Sequence, residues 1–261
     1  MSQEPHDAKD VNRRQFGANA SNYATSEVHA KGASLSRLVE VVNPQSSWRA
    51  LDVATAAGHT AFVFAPHVDH VVASDLTPEM LKLAAEGAVE RGLENVSTEL
   101  ADAESLPFDD ASFDLVTCRI APHHFPNQPG FIGEAARVLK SGGTFAMVDN
   151  VVPTDAGVAL FCDDWEQQRD PSHVNCLSIQ EWQRLCAEAR LRVDHTETAP
   201  KKMQFQRWAD NMNVAAELRP QLLDDLLTAT PAVREFLKPT GTTQQDATFE
   251  LTESLIVAIK P

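Results

Sequence analysis

Strand-like and helix-like segments alternate between residues 46 and 150, and this order constrains the fold more than any other feature of the chain. Short apolar runs that end in small or polar residues predict buried strands; these runs are 50–53, 70–74, 95–100, 113–118 and 143–149. Helical spacing separates them at 60–65, from Pro78 onward and at 128–139, with Thr77 as the N-cap of the second helix and Ser141-Gly142-Gly143 as the stop of the third. Such alternation predicts right-handed βαβ units and a doubly wound parallel sheet.

The rest of the chain adds helices and the last strands. Helices are expected at 156–170 and 178–189, and residues 205–237 are mainly helical. Residues 191–198 alternate like a strand, and residues 249–259 are strand-like with no room for a crossover helix after them, so we expect the latter to pair antiparallel at the end of the sheet. The predicted fold class is therefore α/β, with a mostly parallel seven-stranded sheet, an antiparallel last strand and helical additions.

The net charge of the chain and the length of its apolar runs limit the partners that we expect for it. The chain of 261 residues has 22 Lys and Arg against 37 Asp and Glu, a net charge of −15, which disfavours nucleic acid and anionic lipid. No apolar run approaches the roughly 18 residues of a membrane span.

The four cysteines form no CxxC pair, which favours reduced thiols in a cytoplasmic protein. The spacing His173-x-x-Cys176 is too weak a pattern to predict a metal site.

Small residues and acids follow the first three strands, where ligands of open α/β sheets bind. The first strand is followed by Ala54-Thr55-Ala56-Ala57-Gly58, whose small side chains let the backbone approach a ligand. The second strand ends at Asp75, whose carboxylate can accept both hydroxyls of a ribose. Asp102 follows the third strand and can accept the amine of an adenine.

The sequence resembles the class I S-adenosylmethionine-dependent methyltransferases, and within them the ubiquinone/menaquinone-biosynthesis-type (methyltransferase type 11-like) small-molecule enzymes. Segments in the expected order carry the resemblance, which covers most of residues 13–150: Arg14–Tyr23, Leu51–His59, Ala73–Leu81, Ala101–Phe108 with Phe113–Val116, and Glu134–Gly143. The resemblance implies a Rossmann-like methyltransferase fold, S-adenosylmethionine as cofactor, S-adenosylhomocysteine as product and a small-molecule methyl acceptor. It divides one structural domain into an N-terminal helical lid (1–45), a cofactor-binding core (46–150) and a C-terminal part with a substrate-covering insertion (151–261).

The resemblance also implies which residues contact the cofactor. These residues are Tyr23, Asp52, Ala54, Ala56, Gly58, Asp75, Leu76, Asp102, Ala103 and Arg119. Asp75 is expected at the ribose, Asp102 and Ala103 at the adenine, and Arg119 near the methionine moiety. Asp52 is expected to brace the loop by accepting backbone N–H bonds.

The segment after the fourth strand carries the candidate catalytic groups. His123 and His124 lie where the methyl group is expected, and either can act as a general base for a hydroxyl or an acidic carbon; the alternative is a packed or helix-capping histidine. A substrate pocket is expected between this segment, Phe16 and Tyr23 of the N-terminal segment, and a late helical region with apolar side chains: Phe161, Trp165, Met203, Phe205, Trp208 and Met212.

Two other functions are compared with the same residues. The family usually has glycine at the positions of Ala54 and Ala56, so a cofactor-binding protein with little or no catalysis is the alternative. A nicotinamide-dependent oxidoreductase requires Gly-x-Gly-x-x-Gly, which residues 54–58 match poorly.

Overall fold

A seven-stranded sheet forms the centre of the protein in a computed structural model, which describes residues 5–24 and 33–261 and the side chains of 8–17 and 34–261. The strand order is β3-β2-β1-β4-β5-β7-β6. The strands are β1 Arg49–Val53, β2 His70–Asp75, β3 Val96–Leu100, β4 Phe113–Arg119, β5 Leu139–Val151, β6 Arg192–Gln204 and β7 Thr248–Ile259. β1 to β5 pair in parallel, and β7 is antiparallel to both β5 and β6, so six strands share one direction. The predicted fold class is confirmed.

Helices cover both faces of this sheet. They are α1 Pro5–Ala24, α2 Ala33–Val42, α3 His59–Phe64, α4 Pro78–Glu90, α5 Gln128–Val138, α6 Ala156–Arg169, α7 Ile179–Glu188, α8 Phe205–Asn211, α9 Arg219–Thr228 and α10 Pro231–Leu237, with short 3₁₀ helices at Ala65–His67 and Pro122–His124. α2, α3 and α4 pack on one face around Leu38, Phe64 and Ala88. α5 and α7 pack on the other face around Phe131 and Trp182. Burial on both faces explains the nearly continuous apolar runs of the central strands.

A third apolar cluster lies beside the sheet and joins α6, α8, α9 and α10. Its centre is the stack of Trp165 on Trp208, with ring centroids 4.2 Å apart, and Phe249 of β7 meets both rings edge-on. Trp165 and Phe205 are 2% and 0% exposed, so they belong to this core. The late helical region is thus an addition with a core of its own, anchored on the last strand.

Two local predictions were wrong in detail. α5 ends at Val138 and β5 begins at once at Leu139, because Leu139 already pairs with Phe113 of β4. Gly142 N–H also donates to Lys260 O (2.8 Å) and Lys260 N–H to Gly143 O (2.9 Å), so the predicted stop residues lie within the strand. β7 is antiparallel as expected, but β6 occupies the edge of the sheet because it pairs with β7 along nearly its whole length.

Two further observations concern the cysteines and the length of the helices. Cys118, Cys162, Cys176 and Cys186 are all free thiols. Within the described ranges no helix combines the length and the apolar character that crossing a membrane requires. Cytoplasmic location and the three-part division of the chain stay predictions.

Candidate functional site

A first cavity of about 100 Å³ opens at the carboxyl ends of β1, β2, β3 and β4. Most of the predicted cofactor residues line it: Ala54, Ala56, Asp75, Leu76, Asp102, Ala103 and Arg119, joined by His124. Asp52 and Gly58 are not lining residues, and the side chain of Tyr23 lies outside the described part of the chain. The fold therefore brings together residues that are up to 70 positions apart in sequence.

The loop after β1 has an unusual backbone. Ala54, Ala56 and Gly58 have φ values of 54°, 47° and 88°, all in the left-handed region. An alanine pays about 1 kcal/mol there, because its Cβ crowds the following carbonyl oxygen, and glycine does not. At Gly58 a Cβ would also clash with Cζ of Phe62. The loop keeps a glycine-type conformation although two of its three left-handed residues are alanine.

Asp52 supports this loop from the buried side. Thr55 and Thr117 hydroxyls donate to its two oxygens at 2.6 and 2.7 Å, and the residue is 1% exposed. Burial raises the pKa of Asp52 to about 6 against these hydrogen bonds. Asp52 thus contacts the loop as expected, but mainly through the Thr55 hydroxyl and not through backbone N–H groups. It does so from outside the first cavity.

Asp75 links the ends of β1 and β2. Its Oδ2 accepts from Ala56 N–H and its Oδ1 from Thr77 N–H, both at 2.9 Å. Burial raises its pKa, and hydrogen bonds from the Ala56, Thr77 and Leu76 amides and from the Thr77 hydroxyl oppose this effect. Asp75 also lines the first cavity, at the carboxyl end of β2.

Asp102 faces the cavity with a cationic neighbour that the sequence analysis missed. Lys9 Nζ of α1 lies 2.7 Å from Asp102 Oδ2 and also pairs with Glu104. Although burial lowers the pKa of the Lys9 ammonium, its hydrogen bonds to Asp102 and Glu104 raise it overall. These ion pairs hold α1 against the first cavity, and Asn12 and Phe16 of α1 also line its wall. No motif around Lys9 indicates this contact.

A second cavity of about 130 Å³ adjoins the first. Phe16, Ile120 and His124 line both, and the rings of Phe16 and His124 meet edge-on at 4.9 Å. Ile120 has a φ of 53°, which is an outlier for a β-branched residue and turns the chain sharply after β4. These three side chains form the boundary between the cavities.

The expected apolar pocket is present in part. Met203, Trp208 and Met212 line the second cavity, whereas Phe161, Trp165 and Phe205 do not and pack in the third apolar cluster. The difference arises because Phe161 stacks on Trp165 of α6, Trp165 packs on Trp208 and Phe249, and Phe205 of α8 packs on Trp208. Charged side chains also line the cavity, among them Lys201, 3.6 Å from Glu253. The pocket thus combines an aromatic wall with polar groups.

His123 is held by a buried carboxylate. Its Nδ1 lies 2.6 Å from Asp149 Oδ1, and its backbone N–H donates to Asp149 Oδ2 at 2.9 Å. Burial lowers the pKa of His123, but the Asp149 charge and hydrogen bond raise it overall. The side chain lines the second cavity, and Nε2 is the ring nitrogen that Asp149 leaves available.

His124 differs from its neighbour. Its Nδ1 is 3.0 Å from Ser172 O, which identifies Nδ1 as the protonated nitrogen of a neutral ring. Burial, with the adjacent His123, lowers the pKa of His124 to about 3. His124 is therefore neutral at physiological pH and stands between the two cavities.

Comparisons with known proteins agree with this geometry. A family model described as a methyltransferase domain matches residues 44–203. YcgJ, a methyltransferase of Bacillus subtilis, is 35% identical over 251 residues, covering 96% of this chain and 99% of the relative. The crystal structure of a methyltransferase from Bacillus halodurans is 36% identical, with a TM-score of 0.85 over 88% of this chain and 100% of that one. The ubiquinone/menaquinone biosynthesis C-methyltransferase UbiE of Zymomonas mobilis is 35% identical over 107 residues, 41% of this chain and 44% of the relative.

Proposed function

Because the chain belongs to the class I S-adenosylmethionine-dependent methyltransferases, we propose that it transfers the methyl group of this cofactor to a small-molecule acceptor by in-line displacement. The observation that carries the proposal is the pair of adjoining cavities with His124, Phe16 and Ile120 at their boundary. One cavity has carboxylates at the strand ends, and the other has aromatic walls and a histidine–aspartate pair. In-line transfer requires donor and acceptor on opposite sides of one opening.

The residues of the first cavity fit the cofactor. Asp75 lines the cavity at the end of β2, where its carboxylate can accept from vicinal ribose hydroxyls, and Asp102 with Ala103 borders the space for an adenine. Ala54, Ala56 and Arg119 also line the first cavity, and the family resemblance assigns them to the methionine part of the cofactor. S-adenosylmethionine, when bound, supplies an activated methyl group on a sulfonium, so the protein's main task is orientation.

The second cavity suits the acceptor. Trp208, Met203 and Met212 provide an apolar surface, which favours an aromatic or otherwise apolar molecule with a few polar substituents. His123 Nε2 takes the proton that the acceptor's hydroxyl, or its acidic carbon, loses as the new bond to the methyl carbon forms. Asp149 orients the imidazole and stabilises its charged form, as an orienting carboxylate does for a general base.

The alternative of a binding protein without catalysis receives less support. Ala54 and Ala56 adopt the left-handed φ values that a glycine-containing loop would use, so the departure from glycine leaves the loop's backbone path in place. Burial of the ionisable His123–Asp149 pair also lowers the stability of the folded state, because both groups lose hydration. Such buried pairs are typical of sites that transfer protons, which favours catalysis over binding alone.

Two measurements test the function. Calorimetric titration with S-adenosylhomocysteine is expected to show one site per chain in the micromolar range, and mass spectrometry with a panel of phenols, quinols and other apolar acceptors is expected to detect a product heavier by one methylene unit. Binding without turnover on any acceptor class would support the alternative. Absence of binding would refute the proposed cofactor site.

A further inference from the structure

Three side chains with metal-ligating atoms meet on the wall of the second cavity. Asp163 comes from α6, while His173 and Cys176 come from the segment between α6 and α7. One ligand atom of each lies within 4.8 Å of those of the other two, the one such group among the residues that the structure describes. All three residues line the second cavity.

The protein holds these groups in place before any ligand arrives. Asp163 Oδ1 lies 2.9 Å from His173 Nε2 and accepts from Cys176 N–H at 2.8 Å. His173 N–H donates to Asp170 O at 2.9 Å, and Gln167 Nε2 donates to His173 O at 3.2 Å. His173 is only 4% exposed. Ligands fixed in this way lose little conformational entropy when an ion binds.

The donor set selects a class of metal. One imidazole, one thiol and one carboxylate suit zinc and similar divalent transition ions, whereas magnesium and calcium prefer oxygen ligands throughout. Three protein ligands with one open position form the arrangement of catalytic zinc sites. In a tetrahedral site, ligand atoms are about 3.3 Å apart for nitrogen and oxygen and slightly more for sulfur, given the usual bond lengths. The 2.9 Å pair must therefore open by a few tenths of an ångström, and Cys176 Sγ, which lies within 4.8 Å of the other two ligand atoms, must approach them by up to about 1.3 Å.

We propose that Asp163, His173 and Cys176 bind one divalent transition-metal ion of the zinc type, with its open coordination position facing the second cavity. On binding, the Cys176 thiol releases its proton to solvent, and the proton on His173 Nε2 leaves that nitrogen, so that the neutral ring carries its proton on Nδ1. The hydrogen bond between Asp163 and His173 is then replaced by two metal–ligand bonds. The ion's role rests on the proposed function: its open position would hold a thiol or hydroxyl of the methyl acceptor close to the boundary of the cavities.

Metal binding is tested first in the full-length protein, without cofactor or acceptor. Zinc competition against a chromogenic chelator is expected to show one equivalent per chain, and cobalt(II) is expected to give a thiolate-to-metal charge-transfer band. Zinc is also expected to protect Cys176 from a thiol reagent, as mapped by mass spectrometry. No cobalt band, or no protection of Cys176, overturns the proposal without the need for any variant.

Matched variants test the ligands. Cys176→Ser is expected to abolish the cobalt band, and His173→Gln to weaken zinc binding at least tenfold. The controls are Cys186→Ser, whose thiol is buried with Trp182 in the cluster under α5 and α7, and His195→Gln on β6, both with parental metal binding expected. A band that persists in Cys176→Ser, or that disappears in Cys186→Ser, overturns the assignment. S-adenosylhomocysteine titration of each variant reports folding and the cofactor site separately, so failure of the metal site and failure of the proposed function are distinguishable.

Discussion

Replacing Asp52 by asparagine should stabilise the protein at neutral pH and do so less at acidic pH. The carboxyl group is 1% exposed, and burial raises its pKa to about 6, whereas an unfolded aspartate titrates near about 3.9. Between these two pH values the folded state holds a proton that the unfolded state has released, so the free energy of unfolding falls as the pH rises. The destabilisation by Asp52 is therefore absent below about pH 4 and complete above about pH 6.

The magnitude follows from the same two values. The cost of Asp52 is about 3 kcal/mol at pH 7.5 and about 1.5 kcal/mol at pH 5. Asparagine removes the charge and keeps one side-chain oxygen, which can accept from one of the two threonine hydroxyls. The Thr117 hydroxyl has Leu51 O at 3.4 Å as a second acceptor, so it can turn to donate there and accept from the amide N–H of the new asparagine. A net gain somewhat below these figures is therefore expected.

Urea unfolding of the parent and of Asp52→Asn between pH 5 and 8 measures the difference. Asp109→Asn, a change at an exposed aspartate, is the control, and its effect is expected to stay within about 0.5 kcal/mol at every pH. A variant that is less stable than the parent at pH 7.5, or a difference that does not shrink toward pH 5, would refute the argument that a buried charge is the source of the cost.

Three further changes address the site. Asp75→Ala is expected to weaken S-adenosylhomocysteine binding by about 1.5–3 kcal/mol, the usual loss for a hydrogen bond to a charged group, and parental affinity in calorimetry would exclude the ribose role. Ala56→Gly relieves a left-handed alanine but makes the unfolded chain more flexible, so thermal stability should change by less than about 1 kcal/mol while cofactor affinity changes more; an unchanged Kd would show that the Ala56 methyl points away from the ligand. His123→Gln should lower kcat by about 10²–10⁴ with the cofactor Kd preserved, and a parental kcat on the identified acceptor would remove His123 as the base.

Deletion of residues 1–24 tests the lid. Without Lys9 and Phe16, cofactor retention should weaken and turnover should be lost, while circular dichroism shows an intact sheet, because α1 contributes no strand. A truncated protein with parental affinity would mean that α1 does not cover the cofactor.

Local features of the sequence determined the architecture of the core. The alternation over residues 46–150 predicted β1 to β5 and the helices between them, because apolar periodicity reflects which face of each element is buried. It also located the first cavity, since the carboxyl ends of parallel strands must meet at one edge, where Ala54, Asp75 and Asp102 follow their strands.

Contacts between distant segments were decided by the tertiary structure alone. Lys9 reaches Asp102 across 93 positions, and His123 reaches Asp149 across 26. Asp163 supplies the third member of a group whose other two, His173 and Cys176, form an uninformative pattern in sequence. Spacing along a chain reports only neighbours on the same helix or strand. Which loops meet depends on how all the layers pack, and that is a property of the whole fold.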